Sequence, residues 1–555
     1  MHIYLKLNED EQPLALDVQQ GMTHEMLARR YSAQLPFPVL AAKQNNMVVR
    51  LTEPLLEGSE IEFVDMRNRT AELIYQNSAT LIYIKAAHDV LGAVPIIIQH
   101  SLNKGIFTEV KTPKPITEAQ VTAIRDRMEE LVRMDLPLDK HIVSREEALK
   151  SLVEGGMTEK IRILNASPQL ERVKYYALDG FKDFFYGTMV PSTGYIKKFE
   201  LKKYRDGVLL RFPQPTKPNK MPAYRNEKQM YNAFAEATKW QNLLGISYVC
   251  DLNEKIASGD IKEVIQLSEA LHEKSIVQIA LRIVREGKRI ILIAGPSSSG
   301  KTTFARRLRI QLQVEGLHPL TLGTDDYFME RSQTPLDGGG QPNFEDLDAL
   351  DVKLFNQDMN DLLSGRETDL PTFDFISGTK RFGLRKTILD HNDPIIIEGI
   401  HALNPEMTPD IPDKEKFCIY ISPLTQLNLD DHNRIPTTDT RMLRRMVRDH
   451  QYRGKTAVGT IREWPKVRAG EEKNIFPYNS EADVFFNSVH IYELAVLKKY
   501  AEPLLWSVTP EEPEYSEAAR MLRFLDFFNK VDDDSVISNN SIIREFIGGS
   551  IFVED

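Results

Sequence analysis

Cysteine is nearly absent. Cys250 and Cys418 are the only two in 555 residues, which excludes a disulfide framework and a cysteine-based zinc motif. Long hydrophobic runs are missing too: nothing approaches the roughly 18 consecutive apolar residues of a membrane helix, so no membrane partner is expected. The start, Met1 to Asp10, alternates like a strand and lacks the charged-then-apolar layout of a signal peptide, so the expected location is cytoplasmic. Positive charge is in deficit, and the net charge of −10 disfavours indiscriminate nucleic-acid binding while leaving room for one basic face. Low-complexity tracts are also lacking. With 42% hydrophobic and 27% charged residues the chain should be mostly folded, and it is too long for a single core.

The most informative stretch that is present runs Gly295-Pro-Ser297-Ser298-Ser299-Gly300-Lys301-Thr302-Thr303, a match to G-x-x-x-x-G-K-[ST]. An apolar run of strand type, 289–294, precedes it, and a helical pattern, 304–314, follows. In such a loop the glycines let successive N–H groups turn inward onto phosphate oxygens, and the helix N-terminus adds positive potential. Lys301 would reach the β- and γ-phosphates of ATP, and the Thr302 hydroxyl would ligate magnesium.

A phosphate grip needs a metal carboxylate, a base and a closing element. The run Pro319 to Thr324 ends in Asp325-Asp326-Tyr327-Phe328, where carboxylates sit at the ligand edge of a parallel sheet. Asp325 is the candidate general base and magnesium-linked ligand, with Asp326 the competing assignment. A second apolar run, 394–397, ends in Glu398, placed as a magnesium carboxylate would be. Farther on, 439–454 reads as a helix carrying Arg441, Arg444, Arg445 and Arg448 on neighbouring faces, which suits a lid that neutralises phosphate charge.

The pattern divides the chain into five parts. Residues 1–66 alternate as strands around one helix near Thr23–Tyr31, an order that resembles the ubiquitin-like (β-grasp) TGS domain. Residues 67–225 carry helices after Thr117 and Ser144, a Pro191-Ser-Thr-Gly194 turn and a strand-like run, 196–201. In order these resemble the α+β second additional domain of threonyl-tRNA synthetases. Of that family's metal-ligand positions the chain offers Ile84, His88, Phe185 and Met189; a lone His88 does not hold zinc, so His88 is expected to pack or hydrogen-bond. A proline-rich linker, 214–222, then leads to a helical connector, 226–287. Residues 288–500 alternate strands and helices as an α/β domain with a parallel sheet, and 501–555 is a segment whose apolar 539–549 stretch should dock onto a domain.

Together the motifs after residue 288 resemble the uridine kinase and phosphoribulokinase-like group of P-loop kinases. Asp325-Asp-Tyr-Phe328, Asn343 to Asp351, Leu370-Pro-Thr-Phe373-Asp-Phe375, Glu398-Gly-Ile400 and Arg444 to Asp449 match its motifs in order. The resemblance implies an ATP- and magnesium-dependent kinase acting on a nucleoside 5′-hydroxyl. Lys301, Asp325 and Arg448 would be catalytic, Gly295 with Ser297 through Thr303 would bind the nucleotide, and Thr302, Asp325 and Glu398 would hold the metal. Tyr327, Glu345, Phe373, Arg445 and Arg448 would join Asp325 at the acceptor. The departures fall on the acceptor side: Glu345 for Asp, Asp346-Leu347 for His-Pro, Phe373 for Tyr, Gly378 for a base-contacting His, Lys455 for Arg and Glu463 for Gln. They weaken uridine as the default acceptor.

Two rival readings remain at this stage. Asn529-Lys-Val-Asp532 spells a guanine-specifying pattern but follows a helix rather than a strand. The front modules could instead make the chain a regulatory or RNA-binding protein that uses the kinase fold as a nucleotide switch. They could bind a small ligand or RNA, or arrange a homo-oligomer.

Overall fold

A computed structural model describes residues 1–7, 12–167, 170–336, 340, 343–374, 377–425 and 427–553. Asn8, Glu9 and Asp10 of the expected first strand and Phe375 of the Leu370 motif lie outside the described residues.

The first sheet orders its strands Leu14–Asp17, His2–Lys6, Glu60–Asp65, Val39–Gln44 and Met47–Val49. His2–Lys6 pairs in parallel with Glu60–Asp65, and helix His24–Arg30 starts where the Thr23 hydroxyl accepts from the Met26 N–H. Next comes helix Arg69–Leu91, buried along most of its length because antiparallel strands and a second helix enclose it. That second helix, Glu118–Met134, opens with a reciprocal capping box between Thr117 and Gln120. The strand expected over 196–201 begins later, at Glu200–Tyr204: Thr193–Tyr195 forms a 3₁₀ turn and Ile196 is sunk into the core beneath it.

Helices Lys228–Leu244, Val249–Ser258 and Ile261–Glu286 lead into a five-stranded, wholly parallel sheet. Its order is Leu320–Gly323, Ile395–Glu398, Ile290–Ala294, Lys416–Ser422, Val484–Asn487. Strands covered on both faces read as continuous apolar runs, as Ile-Ile-Leu-Ile-Ala and Ile-Ile-Ile do here. Ile290 and Leu292 point to one face, where Phe355 and Ile397 pack, while Ile291 and Ile293 point to the other, with Phe304 and Leu308 of helix Lys301–Val314.

Ile542 and Phe546 of the final segment join this second face. Burying two such side chains contributes about 3–6 kcal/mol of transfer free energy, enough to hold a short segment in place. Helix Glu493–Trp506 runs across residue 500, so the sequence boundary placed there falls inside a helix. The Asn529-Lys-Val-Asp532 stretch is tied down elsewhere: Asn529 bonds to Asn253 through its N–H and its amide, and the Val531 N–H donates to Ala495 O. Among the described residues no helix is long and apolar enough to cross a membrane.

Candidate active site

The central strand Ile290–Ala294 delivers its carboxyl end to the glycine-rich loop. Gly295 is required there because a Cβ would lie 2.1 Å from Ile421 O of the neighbouring strand. The loop then bends through Ser298 at φ 59 and Gly300 at φ 85, left-handed geometry that aims backbone N–H groups into the turn. The Ser298 and Ser299 hydroxyls are buried and have no hydrogen-bond partner among the described residues. Unpaired buried hydroxyls are costly, and a phosphate group is the kind of acceptor that would satisfy them. The loop residues therefore fit a nucleotide.

The Lys301 ammonium turns back onto Gly295 O (2.9 Å) and Pro296 O (3.3 Å). Burial lowers its pKa, against the opposing pull of Glu398, Glu545 and Asp325. The Thr302 hydroxyl donates to both Glu398 oxygens at 3.2 and 3.3 Å, joining the loop to the end of the adjacent strand. Burial pushes the Glu398 carboxyl up to about 7; Lys301 and the Thr302 bond oppose this, and the nearby Glu545 and Asp325 add to it. Thr302, Glu398 and Asp325 thus supply a hydroxyl and two carboxylates, a donor set that suits magnesium, which keeps several waters.

The two aspartates of the next strand end separate cleanly. Asp326 is engaged by Arg385 of strand Thr379–Thr387 at 2.7 Å. Asp325 projects to solvent at the cleft, yet the protein crowded around it raises its carboxyl pKa, with Lys301 opposing and Asp326 reinforcing that rise.

Helix Thr437–Arg453 brings the arginines against the loop, and most are already committed. Arg441 donates to Ser297 O (3.1 Å) and pairs with Glu471. Arg444, fully buried, binds Ser298 O (3.2 Å) and Glu493. Arg445 reaches the Ser297 hydroxyl (2.9 Å). Arg448 lines the phosphate pocket while bonding Asp449 at 2.8 Å.

Two acceptor-side assignments need correction. Tyr327 is fully buried, and its hydroxyl donates to Asp358 (3.0 Å), so it anchors helix Val352–Leu363 instead of facing a substrate. Phe373 packs edge-on against Phe328 in the core, 5.7 Å between ring centres, because an aromatic without a hydroxyl gains most from burial. Glu345 does line the pocket beside the loop, where burial and the nearby Glu471 raise its carboxyl pKa. At Gly378 the Arg331 side chain fills the space where a Cβ would stand. Lys455 and Glu463, the two lid departures, form an ion pair with each other.

Sequence reasoning missed two carboxylates on the loop. Glu471 accepts from the Ser297 N–H (3.1 Å), and Glu545 accepts from the Thr303 N–H (3.3 Å) and hydroxyl (2.7 Å). Thr303, expected to contact nucleotide, therefore has its hydroxyl engaged within the chain. No motif signalled either contact, since both depend on distant segments folding back. His88 donates from Nε2 to Val94 O (3.1 Å) and stands edge-on to Phe181, while Ile84, Phe185 and Met189 are buried in the apolar core. The residue that helix Arg69–Leu91 places against Gly187 and Thr188 is Asn77.

A parallel sheet with a phosphate loop on its central strand, and carboxylates at the ends of the next two strands on one side of it, defines a P-loop kinase fold. In agreement, residues 290–495 match the family described as Phosphoribulokinase / Uridine kinase family. A solved structure described as a possible uridine kinase from Bacillus stearothermophilus is similar at 22% identity, covering 38% of this chain and 98% of that one with a TM-score of 0.26. Toward the N-terminus the similarity is to threonine–tRNA ligases. That of Marinobacter nauticus is 30% identical over 184 residues, 33% of this chain and 29% of the ligase. Threonine–tRNA ligase 1 of Bacillus subtilis is 30% identical over 182 residues, 33% of this chain and 28% of the ligase. The chain thus spans under a third of the length of these relatives.

Proposed function

We propose that this chain is an ATP-dependent kinase that transfers the γ-phosphate to a hydroxyl of a small acceptor, a nucleoside of uridine-kinase type. The observation that carries this reading is the convergence of Thr302, Glu398, Asp325 and Lys301 at one loop whose Ser298 and Ser299 hydroxyls lack partners. Magnesium, held by Thr302 and Glu398 with Asp325 nearby, would neutralise charge on the phosphates. Asp325 would accept the acceptor's hydroxyl proton at its carboxylate. Arg445 and Arg448 would steady the phosphate chain from the lid helix. Gly378 and Glu463 support an altered base preference, since the family's base-reading His and Gln are replaced there, and Glu463 is paired with the lid Lys455. The reading is tested with a panel of ribo- and deoxyribonucleosides, ATP and magnesium, following nucleoside-dependent ADP release. Turnover with at least one nucleoside supports it, and its absence across the panel favours a regulatory chain or a different acceptor.

A further inference from the structure

A cavity of about 610 Å³ lies away from the phosphate loop, walled by the first sheet, the synthetase-like module and two helices of the kinase half. Its volume is in the range of small-metabolite sites. Leu73, Ile74, Val173, Phe185 and Phe527 give it an apolar lining. Cations line it as well, and they outnumber its acids. Lys174 of strand Arg172–Leu178 donates only to backbone carbonyls, Tyr186 O (2.9 Å) and Gly187 O (2.8 Å). Arg50, 6% exposed, likewise donates only to carbonyls, those of Leu138 (2.7 Å), Val190 (3.0 Å) and Met189 (3.1 Å), and lies over the Tyr176 ring. Arg523 of helix Tyr515–Leu525 has no carboxylate within ion-pair distance among the described residues. Of the acids of the wall, Glu53 holds Lys140 at 2.9 Å, Asp439 and Glu517 hold Arg520 at 2.8 and 2.6 Å, and Asp526 offsets part of the charge of Arg523.

Crowded cations that outnumber their counter-charges are unfavourable away from water, and a multivalent anion is what relieves them. The strain registers at Lys174, whose pKa burial pulls down to about 7, reinforced by Lys140, Arg523 and Arg50. The floor of the cavity includes Asp439, in the first turn of the helix that carries Arg441, Arg444, Arg445 and Arg448 to the phosphate loop.

From the cavity, its excess of cations and its apolar lining, we propose that this is a second ligand site, taking a compact multivalent anion, either a phosphate ester or a polycarboxylate. The site is separate from the kinase centre, and its existence does not depend on which acceptor that centre uses.

The test is isothermal titration of the full-length Lys301→Ala chain, in which the phosphate loop's grip is removed, with inorganic pyrophosphate and with citrate. We expect at least one of them to bind, and Lys174→Met and Arg523→Ala each to weaken that binding by about tenfold or more, as loss of a charge-assisted contact does. Binding of pyrophosphate alone assigns the phosphate class, and of citrate alone the carboxylate class. Arg523 is exposed, so its substitution keeps the test valid if Lys174→Met fails to fold. The proposal is overturned if neither anion binds at millimolar concentration, or if both substitutions leave binding unchanged.

Discussion

Glu545 accepts hydrogen bonds from both the N–H and the hydroxyl of Thr303, placing a carboxylate at the N-terminus of the helix that a phosphate loop offers to nucleotide. Three carboxylates, Glu545, Glu398 and Asp325, then surround the single ammonium of Lys301. Negative charge at that helix end competes with a polyphosphate for the same positive potential. Glu545→Gln keeps the shape and removes the charge, so it should tighten binding of a fluorescent ATP analogue by about 3–10-fold, in line with one charge interaction across a screened cleft. Weaker binding in the variant would instead make Glu545 a support of the loop.

The separation of the two aspartates predicts unequal effects. Asp325→Asn should lower kcat by about 10²–10⁴-fold, the usual contribution of a general base, with little change in the KM for ATP. Asp326→Asn breaks only the pair with Arg385, which is part-exposed, and should cost less than about tenfold. Steady-state kinetics on both variants decides between them; the reverse order would move the base to Asp326.

Glu398 predicts a pH dependence of both stability and binding. Its folded-state pKa, about 7, lies above the ordinary 4.5, so between these values the folded chain holds more protons than the unfolded one. Its contribution to stability therefore falls as pH rises through that window. Glu398→Gln should raise the unfolding free energy at pH 8 by about 1–3 kcal/mol and change it little near pH 5. A metal needs the ionised carboxylate, so magnesium–ATP binding at pH 7 should release a proton from wild type and not from the variant. Titration calorimetry in buffers of different ionisation enthalpy reads this directly.

Arg444 and Glu493 are both fully buried and paired, and the same guanidinium holds Ser298 O. Removing one partner leaves a bare buried charge, so Glu493→Ala should destabilise the chain by about 3–5 kcal/mol in denaturant unfolding. A loss below about 1 kcal/mol would show that the pair adds nothing beyond packing.

The geometry of the loop was legible in the sequence because a glycine-rich turn between strand and helix is a local device: the spacing of Gly295, Gly300, Lys301 and Thr302 sets it, and strand-end carboxylates follow from apolar runs. The parallel sheet was legible for the same reason, its strands Ile290–Ala294 and Ile395–Glu398 being short runs of isoleucine and leucine. What escaped depends on long-range folding. Tyr327 and Phe373 look like cleft aromatics until the core around Phe328 and Phe355 claims them. Glu471 and Glu545 come from segments with no motif of their own, and Lys455 and Glu463 read as two separate losses although they pair. The strand start was set too early, at Ile196, because the apolar pattern there reads as strand although Ile196 is buried beneath the Thr193–Tyr195 turn and the strand begins at Glu200.

The account stands most directly on phosphoryl transfer from ATP labelled at the γ-position, followed with magnesium and the nucleoside panel in wild type and in Asp325→Asn. It predicts magnesium-dependent label on a nucleoside 5′-hydroxyl in wild type, reduced by about 10²-fold or more in the variant. Equal labelling by both proteins, or label on no nucleoside at all, would contradict it.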